Sequence, residues 1–278
     1  LSKETTPQLG LMNLPMPTQV EYDALMALYQ STNGANWTNN TGWRDADPMV
    51  LQSVQGWSGV TITGVGSVVE LDLKNNNLTG TLPNEIGDLT NLKVLGIHEN
   101  SLSGSIPASI GSLTELTYLN LSQDSLSGSI PDSLGNLTNL TYLSLRNNGF
   151  TGAIPESLGN LNKLDQLYLS TNTLTGSIPD TLASLINLKA LYLFSNNLTV
   201  QIPSVLGDLT ALEEFRVGSN SLTGSIPETF GNLINLEQLH MDKNQLSGEI
   251  PSSIGNLENL VGMNLSTNNL TGQIPVSI

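Results

Sequence analysis

The chain has 278 residues, of which 12% are charged, and 24 acids against nine Lys and Arg leave a formal charge of −15. A polyanion of this kind lacks the basic footprint that phosphate backbones require and is repelled by anionic lipid, so neither nucleic acid nor a membrane surface is expected as a partner. Cysteine is absent, which removes disulfides and thiolate metal sites, and no apolar run reaches the roughly 18 residues needed to cross a bilayer.

The start at Leu1, without Met and without a basic segment leading into an apolar one, reads as a processed or truncated start whose signal peptide has gone. Residues 1–17, rich in Pro and polar side chains and aperiodic, read as an extended leader. Residues 18–67 read as an N-terminal cap. Thr18 with Glu21 forms a capping-box pattern, Tyr22, Leu25, Leu28 and Tyr29 then share one helical face, and Asn33-Gly34 ends the helix. All three tryptophans, Trp37, Trp43 and Trp57, fall in this segment. An aromatic-rich segment suits the exposed end of a stacked array.

From residue 68 to 278 the chain repeats itself. LDLKNNNLTGTLPNEIGDLTNLKV, starting at Leu71, returns as LGIHENSLSGSIPASIGSLTELTY and as LYLSTNTLTGSIPDTLASLINLKA. The polar residue of the frame LxLxxNxL stands at Asn76, Asn100, Asp124, Asn148, Asn172, Asn196, Asn220, Asn244 and Asn268, spaced by 24 without a slip. A fixed period of this length marks a solenoid of about nine coils. Leu71 and Leu73 alternate with Asp72 and Lys74, the pattern of a half-buried strand, so stacked coils make a parallel sheet. An Asn amide donates and accepts at once, so the Asn column is expected to satisfy loop backbone of adjoining coils; Asp124, with no donor, breaks it. The Gly-x-Ile-Pro element is expected to form a second, lateral strand. Val200 takes the Gly position once, from which that position is not expected to demand a positive φ. Ile86-Gly87-x-Leu89 is too short for an α-helix and suits a 3₁₀ turn. The last copy stops at Ile278 inside a repeat with no capping segment, so either the native chain continues or another chain covers that end through an end-to-end or dimer contact.

These motifs resemble the plant-type leucine-rich repeat, LxxLxLxxNxLxGxIPxxIGxLxx, of receptor-kinase ectodomains and polygalacturonase inhibitors. Ala24 to Trp43 followed by WSGVTITGVGSVVELDL resembles the N-terminal cap of those proteins. The cysteine pair usual around that element is missing, as in similar proteins of bacteria and unicellular eukaryotes. The resemblance implies an α/β fold: a right-handed leucine-rich repeat horseshoe with a parallel concave β-sheet, 3₁₀ turns on the convex side and a helical cap. It also implies a secreted or cell-surface recognition module.

Outward strand positions carry whatever specificity the array has. Tyr118, Tyr142, Tyr168 and Tyr192 lie on the concave face of the middle coils with Phe194, Arg146, Arg216 and His240. Tyr and Arg are enriched in binding hot spots, and tyrosine faces also stack on sugars. The same rings, one coil apart at about 4.8 Å, could instead merely stabilise the sheet. The expected partner is a protein or peptide, with a glycan as the alternative. A third reading, ice binding, rests on hydroxyl rows such as Thr79/Thr81, Ser103/Ser105, Ser127/Ser129, Thr175/Ser177 and Thr223/Ser225, interrupted by Ala153, Gln201, Glu249 and Gln273. Catalysis has no constellation: His98 and His240 stand six coils apart, about 29 Å at sheet spacing. Glu213 and Glu214 alternate faces of a strand, and nothing calls for a metal or cofactor. Sequons such as Asn77, Asn120 and Asn264 arise largely from the N-L-T and N-L-S of the repeat itself.

Overall fold

A computed structural model describes residues 14–44, 46 and 52–278. The greater part of the expected leader, 1–13, lies outside the described residues, and 14–17 have no regular secondary structure. Helix α1 spans Gln19–Ser31. Its capping box forms as the sequence implies: Glu21 N–H donates to Thr18 Oγ1 at 3.1 Å, and Thr18 N–H donates to Glu21 Oε2 at 2.9 Å. Glu21 does more than cap. Its other oxygen accepts from Val68 N–H at 3.1 Å, which ties the helix to the first strand of the array. Beneath the helix, Trp43 is fully buried and packs at 4.9 Å against both Trp37 and Trp57, while Tyr22 meets Trp57 edge-on at 5.8 Å. This aromatic cluster closes the end of the solenoid that would otherwise expose leucine.

The cap also contains a strand that the sequence reading left out. β1 (Val60–Ile62) pairs antiparallel with β2 (Val68–Asp72), with Val60 opposite Leu71. The connecting turn brings Gly66, at φ +98°, so close to the backbone of Met16 that a Cβ would lie 1.8 Å from its carbonyl oxygen. The parallel array starts at β2. Its partners are Val94–Gly96, Tyr118–Asn120, Tyr142–Ser144, Gln166–Tyr168, Ala190–Tyr192, Glu214–Arg216, Gln238–His240 and Gly262–Asn264, all in register at one coil per strand. Among the described residues this makes a sheet of ten strands counting β1. A 3₁₀ turn follows in each coil on the opposite side, from Asn84–Asp88 to Ser252–Asn256. Inward leucines fill the space between, and Phe150, Phe215 and Phe230 take leucine positions and are fully buried.

The polar ladder binds coil to coil. In a typical rung Asn148 Oδ1 accepts from Leu126 N–H at 3.0 Å and its Nδ2 donates to Leu121 O at 2.8 Å, one coil back. Asn76 makes the equivalent bonds to the cap, accepting from Asn39 N–H at 2.6 Å and donating to Asn39 O at 3.0 Å. Asp124 keeps the acceptor half only: Oδ1 takes Leu102 N–H at 2.8 Å, and Oδ2 is buried without a partner. Burial pushes its carboxyl up from 3.8 to about 7.

A lateral sheet forms as expected, but just ahead of the Ile-Pro step rather than on it. Thr79–Thr81, Ser101–Gly104, Ser125–Ser129, Gly149–Ala153, Thr173–Gly176 and Asn197–Leu198 pair in parallel, and Ser247–Glu249 pairs with Asn269–Thr271 beyond a gap. Ile and Pro instead lead into the 3₁₀ turn. The backbone at Val200 corrects the expectation drawn from it. Its φ is +68°, in the same left-handed region as the +75° to +89° of the glycines in the equivalent position, so the turn does demand a positive φ and Val200 adopts it under strain.

Candidate functional site

The outward residues of the parallel sheet form three columns, and the four middle coils bring the aromatic ones together. Tyr118 and Tyr142 stack with centroids 4.5 Å apart and planes 14° from parallel. Tyr142 meets Tyr168 at 5.5 Å, Tyr168 meets Tyr192 edge-on at 4.8 Å, and Tyr192 reaches Phe194 at 6.0 Å. The result is one unbroken line of five rings running obliquely across the sheet. Ring packing occurs because in-register parallel pairing places residues 24 apart side by side, as Tyr118 with Tyr142. The same pairing sets Tyr168 beside Tyr192, while Tyr142 meets Tyr168 diagonally and Tyr192 meets Phe194 within one coil.

The rings are held as well as stacked. Asn120 Nδ2 donates to Tyr118 Oη at 3.1 Å, Tyr168 Oη donates to Gln166 Oε1 at 2.8 Å, and Tyr192 Oη donates to Glu214 Oε2. Burial raises the hydroxyl pKa of Tyr142 and Tyr168 above the ordinary tyrosine value; at Tyr192 burial and the bond to the Glu214 carboxylate raise it further. All three are therefore neutral donors at physiological pH. Asn120, one of the sequons, is buried beneath this layer, which closes it to glycosylation.

The two arginines part company. Arg146 is exposed and has no ion pair among the described residues. Arg216 is already paired: its guanidinium donates to Glu214 Oε2 at 2.7 Å and lies 5.0 Å from the Tyr192 ring centroid. Its Nε is buried without a partner. Two hollows flank the aromatic line. One of about 190 Å³ is lined by Phe194, Arg216, Gly218, Ser219, His240 and Asp242, and the other, of about 280 Å³, by Asp72, Val94, Gly96, His98 and Tyr118. His240 Nε2 lies 3.1 Å from Gln238 Oε1. His98 is lowered below the usual histidine value, chiefly by burial and then by Lys74, so it is neutral at physiological pH. Among the described residues no three His, Asp or Glu side chains come together as a metal ion would require.

On the lateral face the interruptions at Ala153, Gln201, Glu249 and Gln273 all fall in one of two outward columns. The other, from Thr79 in steps of 24 to Thr271, is Ser or Thr at every coil. That column is legible in the sequence at single positions, whereas paired hydroxyls obscure it.

A family model described as a leucine-rich repeat region matches residues 51–148 and 125–242, and a leucine-rich repeat model matches 235–257. No curated protein sequence matches the chain. Among solved structures, the plant peptide hormone receptor RGFR1 in complex with RGF2 is 42% identical, with a TM-score of 0.72, over 73% of this chain and 32% of that one. The ectodomain of the Arabidopsis receptor kinase HAESA, in complex with an IDA peptide hormone, is 33% identical, with a TM-score of 0.75, over 94% of this chain and 47% of that one. A plant ice-binding protein is 29% identical, with a TM-score of 0.76, over 94% of this chain and 90% of that one. The chain thus spans about a third to a half of the length of the receptor ectodomains it is similar to.

Proposed function

The chain belongs to the leucine-rich repeat family, and on that footing we propose that it is a non-enzymatic recognition module whose concave face binds a protein or peptide outside the cell or at its surface. The observation that carries this reading is the five-ring line with its two flanking hollows. Tyr142 and Tyr192 are its central anchors, Phe194 an apolar end, and Arg146 the exposed cation. Rigid aromatic groups already packed on one another lose little entropy on binding, which suits a protein contact surface. The same packing weighs against a glycan. A sugar stacks on an open ring face, whereas the facing sides of Tyr118 and Tyr142 are taken up by each other at 4.5 Å. Similar receptors hold peptide hormones in their structures, which supports a peptide as partner and an extracellular or cell-surface setting.

The test is a peptide-display selection against the chain, followed by titration of the enriched peptides against the Tyr142→Ala/Tyr192→Ala variant. Enriched peptides should bind the variant at least about tenfold more weakly, as loss of hot-spot aromatics does. Equal binding to both proteins would remove the concave face from the account.

The unbroken hydroxyl column and the similarity to an ice-binding protein favour a second reading, adsorption to ice through the lateral face. A single regular column matches a lattice in one direction only. Thermal hysteresis that disappears in Thr151→Tyr would establish that reading; its absence in the parent chain would end it.

A further inference from the structure

Two outward positions inside the sheet carry no side chain where the coils on both sides carry one. Gly96 follows Asp72 and precedes Asn120 in its column, and Gly218 stands between Phe194 and Asp242 in the next. Neither has a positive φ, so backbone conformation does not call for glycine at either place. What glycine does is open the two hollows. A Cβ at 96 would come 3.3 Å from Asp72 Oδ1 and 3.9 Å from His98 Cε1, and a Cβ at 218 would come 2.6 Å from Asp242 Oδ1. Each hollow therefore has the same furniture: a carboxylate at its floor, a histidine beside it, and an aromatic wall, Tyr118 in one and Phe194 in the other.

Two of the cations near the hollows are already paired. Lys74 pairs with Glu99 at 3.5 Å and Arg216 with Glu214 at 2.7 Å, while Asp72 and Asp242 have no ion pair among the described residues. A carboxylate beside an aromatic face is the combination that holds an ammonium or guanidinium group. Resting on the concave-face reading above, we infer that the ligand is an extended peptide with two basic side chains, one seated against Asp72 and Tyr118 and the other against Asp242 and Phe194. The hollows lie five coils apart. At about 4.8 Å per coil, with one step of two residues along the strand, their separation is about 25 Å. An extended chain advances about 3.3 Å per residue, so the two basic residues stand about seven to eight positions apart. Residues between them cross the tyrosine line. The net charge of −15 draws a basic partner toward the face.

The test uses fluorescent synthetic peptides on a Ser/Val background with two lysines set about four, about eight or about twelve positions apart, and a matched set with glutamate in place of lysine. Binding is read by anisotropy. The peptide with a spacing of about eight should bind about tenfold more tightly than the other spacings. The glutamate set should not bind, and Asp72→Asn and Asp242→Asn should each abolish the spacing preference while leaving the melting temperature in place. Gly96→Ser, which supplies the side chain that Ser144 carries two coils on, should block one hollow and give the same loss. Affinity independent of spacing, equal binding of the glutamate set, indifference to both asparagine variants, or no binding by any lysine peptide would each overturn the inference. If display-selected peptides still fail on Tyr142→Ala/Tyr192→Ala but show no lysine preference, the sockets fall and concave recognition stands.

Discussion

Replacing Asp124 with asparagine restores a donor to the one rung that lacks it. At other rungs the amide donates to a carbonyl 27 residues back and to another three residues back, as Asn148 does to Leu121 at 2.8 Å and to Leu145 at 3.3 Å. For residue 124 those acceptors are Ile97 O and Leu121 O. Two added amide hydrogen bonds contribute about 1 kcal/mol each, so the variant gains about 2 kcal/mol at a pH where Asp124 is ionised. Proton linkage gives a consistent figure. A carboxyl moved from 3.8 to about 7 nominally corresponds to about 4 kcal/mol, reduced to about 2 by the water that still reaches this partly buried group. The sign follows from which state holds the proton more tightly. Between those pH values the native chain does, so the parent's stability is fully present below about 4 and is lost as pH rises through about 7. The gain from Asp124→Asn is therefore largest at alkaline pH and shrinks at pH near 5, where the protonated carboxyl can itself donate. In a chain of this size about 2 kcal/mol raises the melting temperature by about 3–4 °C. Thermal unfolding followed by circular dichroism on both sides of pH 7 decides the matter. A gain of equal size at both pH values, or none, would refute the picture of a donor-starved buried rung.

Val200→Gly should raise stability by about 1 kcal/mol, since the side chain is 54% exposed and the left-handed strain it relieves exceeds the entropy that glycine adds to the unfolded chain; a lower urea midpoint would contradict this. Trp43→Ala should cost about 3–5 kcal/mol, because its fully buried ring joins Tyr29, Trp37 and Trp57; a loss under about 1 kcal/mol would mean that the cap does not stabilise the array. In an alkaline titration of tyrosinate absorbance, Tyr142, Tyr168 and Tyr192 should lag behind ordinary tyrosine. Because the unfolded chain releases those protons first, native stability should fall as pH passes about 10. Simultaneous ionisation of all six tyrosines would show that the ring line is open to water.

Periodicity made the scaffold legible. The interval of 24 fixed every ladder position, and alternation within LDL told inward from outward, so the face on which Tyr118, Tyr142, Tyr168 and Tyr192 lie followed from the repeat alone. Four features did not follow, each for a physical reason. β1 escaped notice because a three-residue strand has no periodicity to show; it exists through its pairing with β2. Val200 misled because a residue type records what a position tolerates, while tertiary register decides the φ it must adopt. The pairing of Arg216 with Glu214, two residues away on the same outward face, requires side-chain conformations that spacing alone does not specify. The two hollows were the hardest to see, since they come from missing side chains, and glycine in a strand reads first as an absence of information.

The central claim, that the ring line is the recognition surface, is tested most directly by hydrogen–deuterium exchange of the whole chain with and without a display-selected peptide. Protection should appear in the strands from Tyr118–Asn120 to Glu214–Arg216 and in the segments that follow them, with the lateral strands and 3₁₀ turns unchanged. Protection confined to the lateral sheet or to the 3₁₀ side would contradict it.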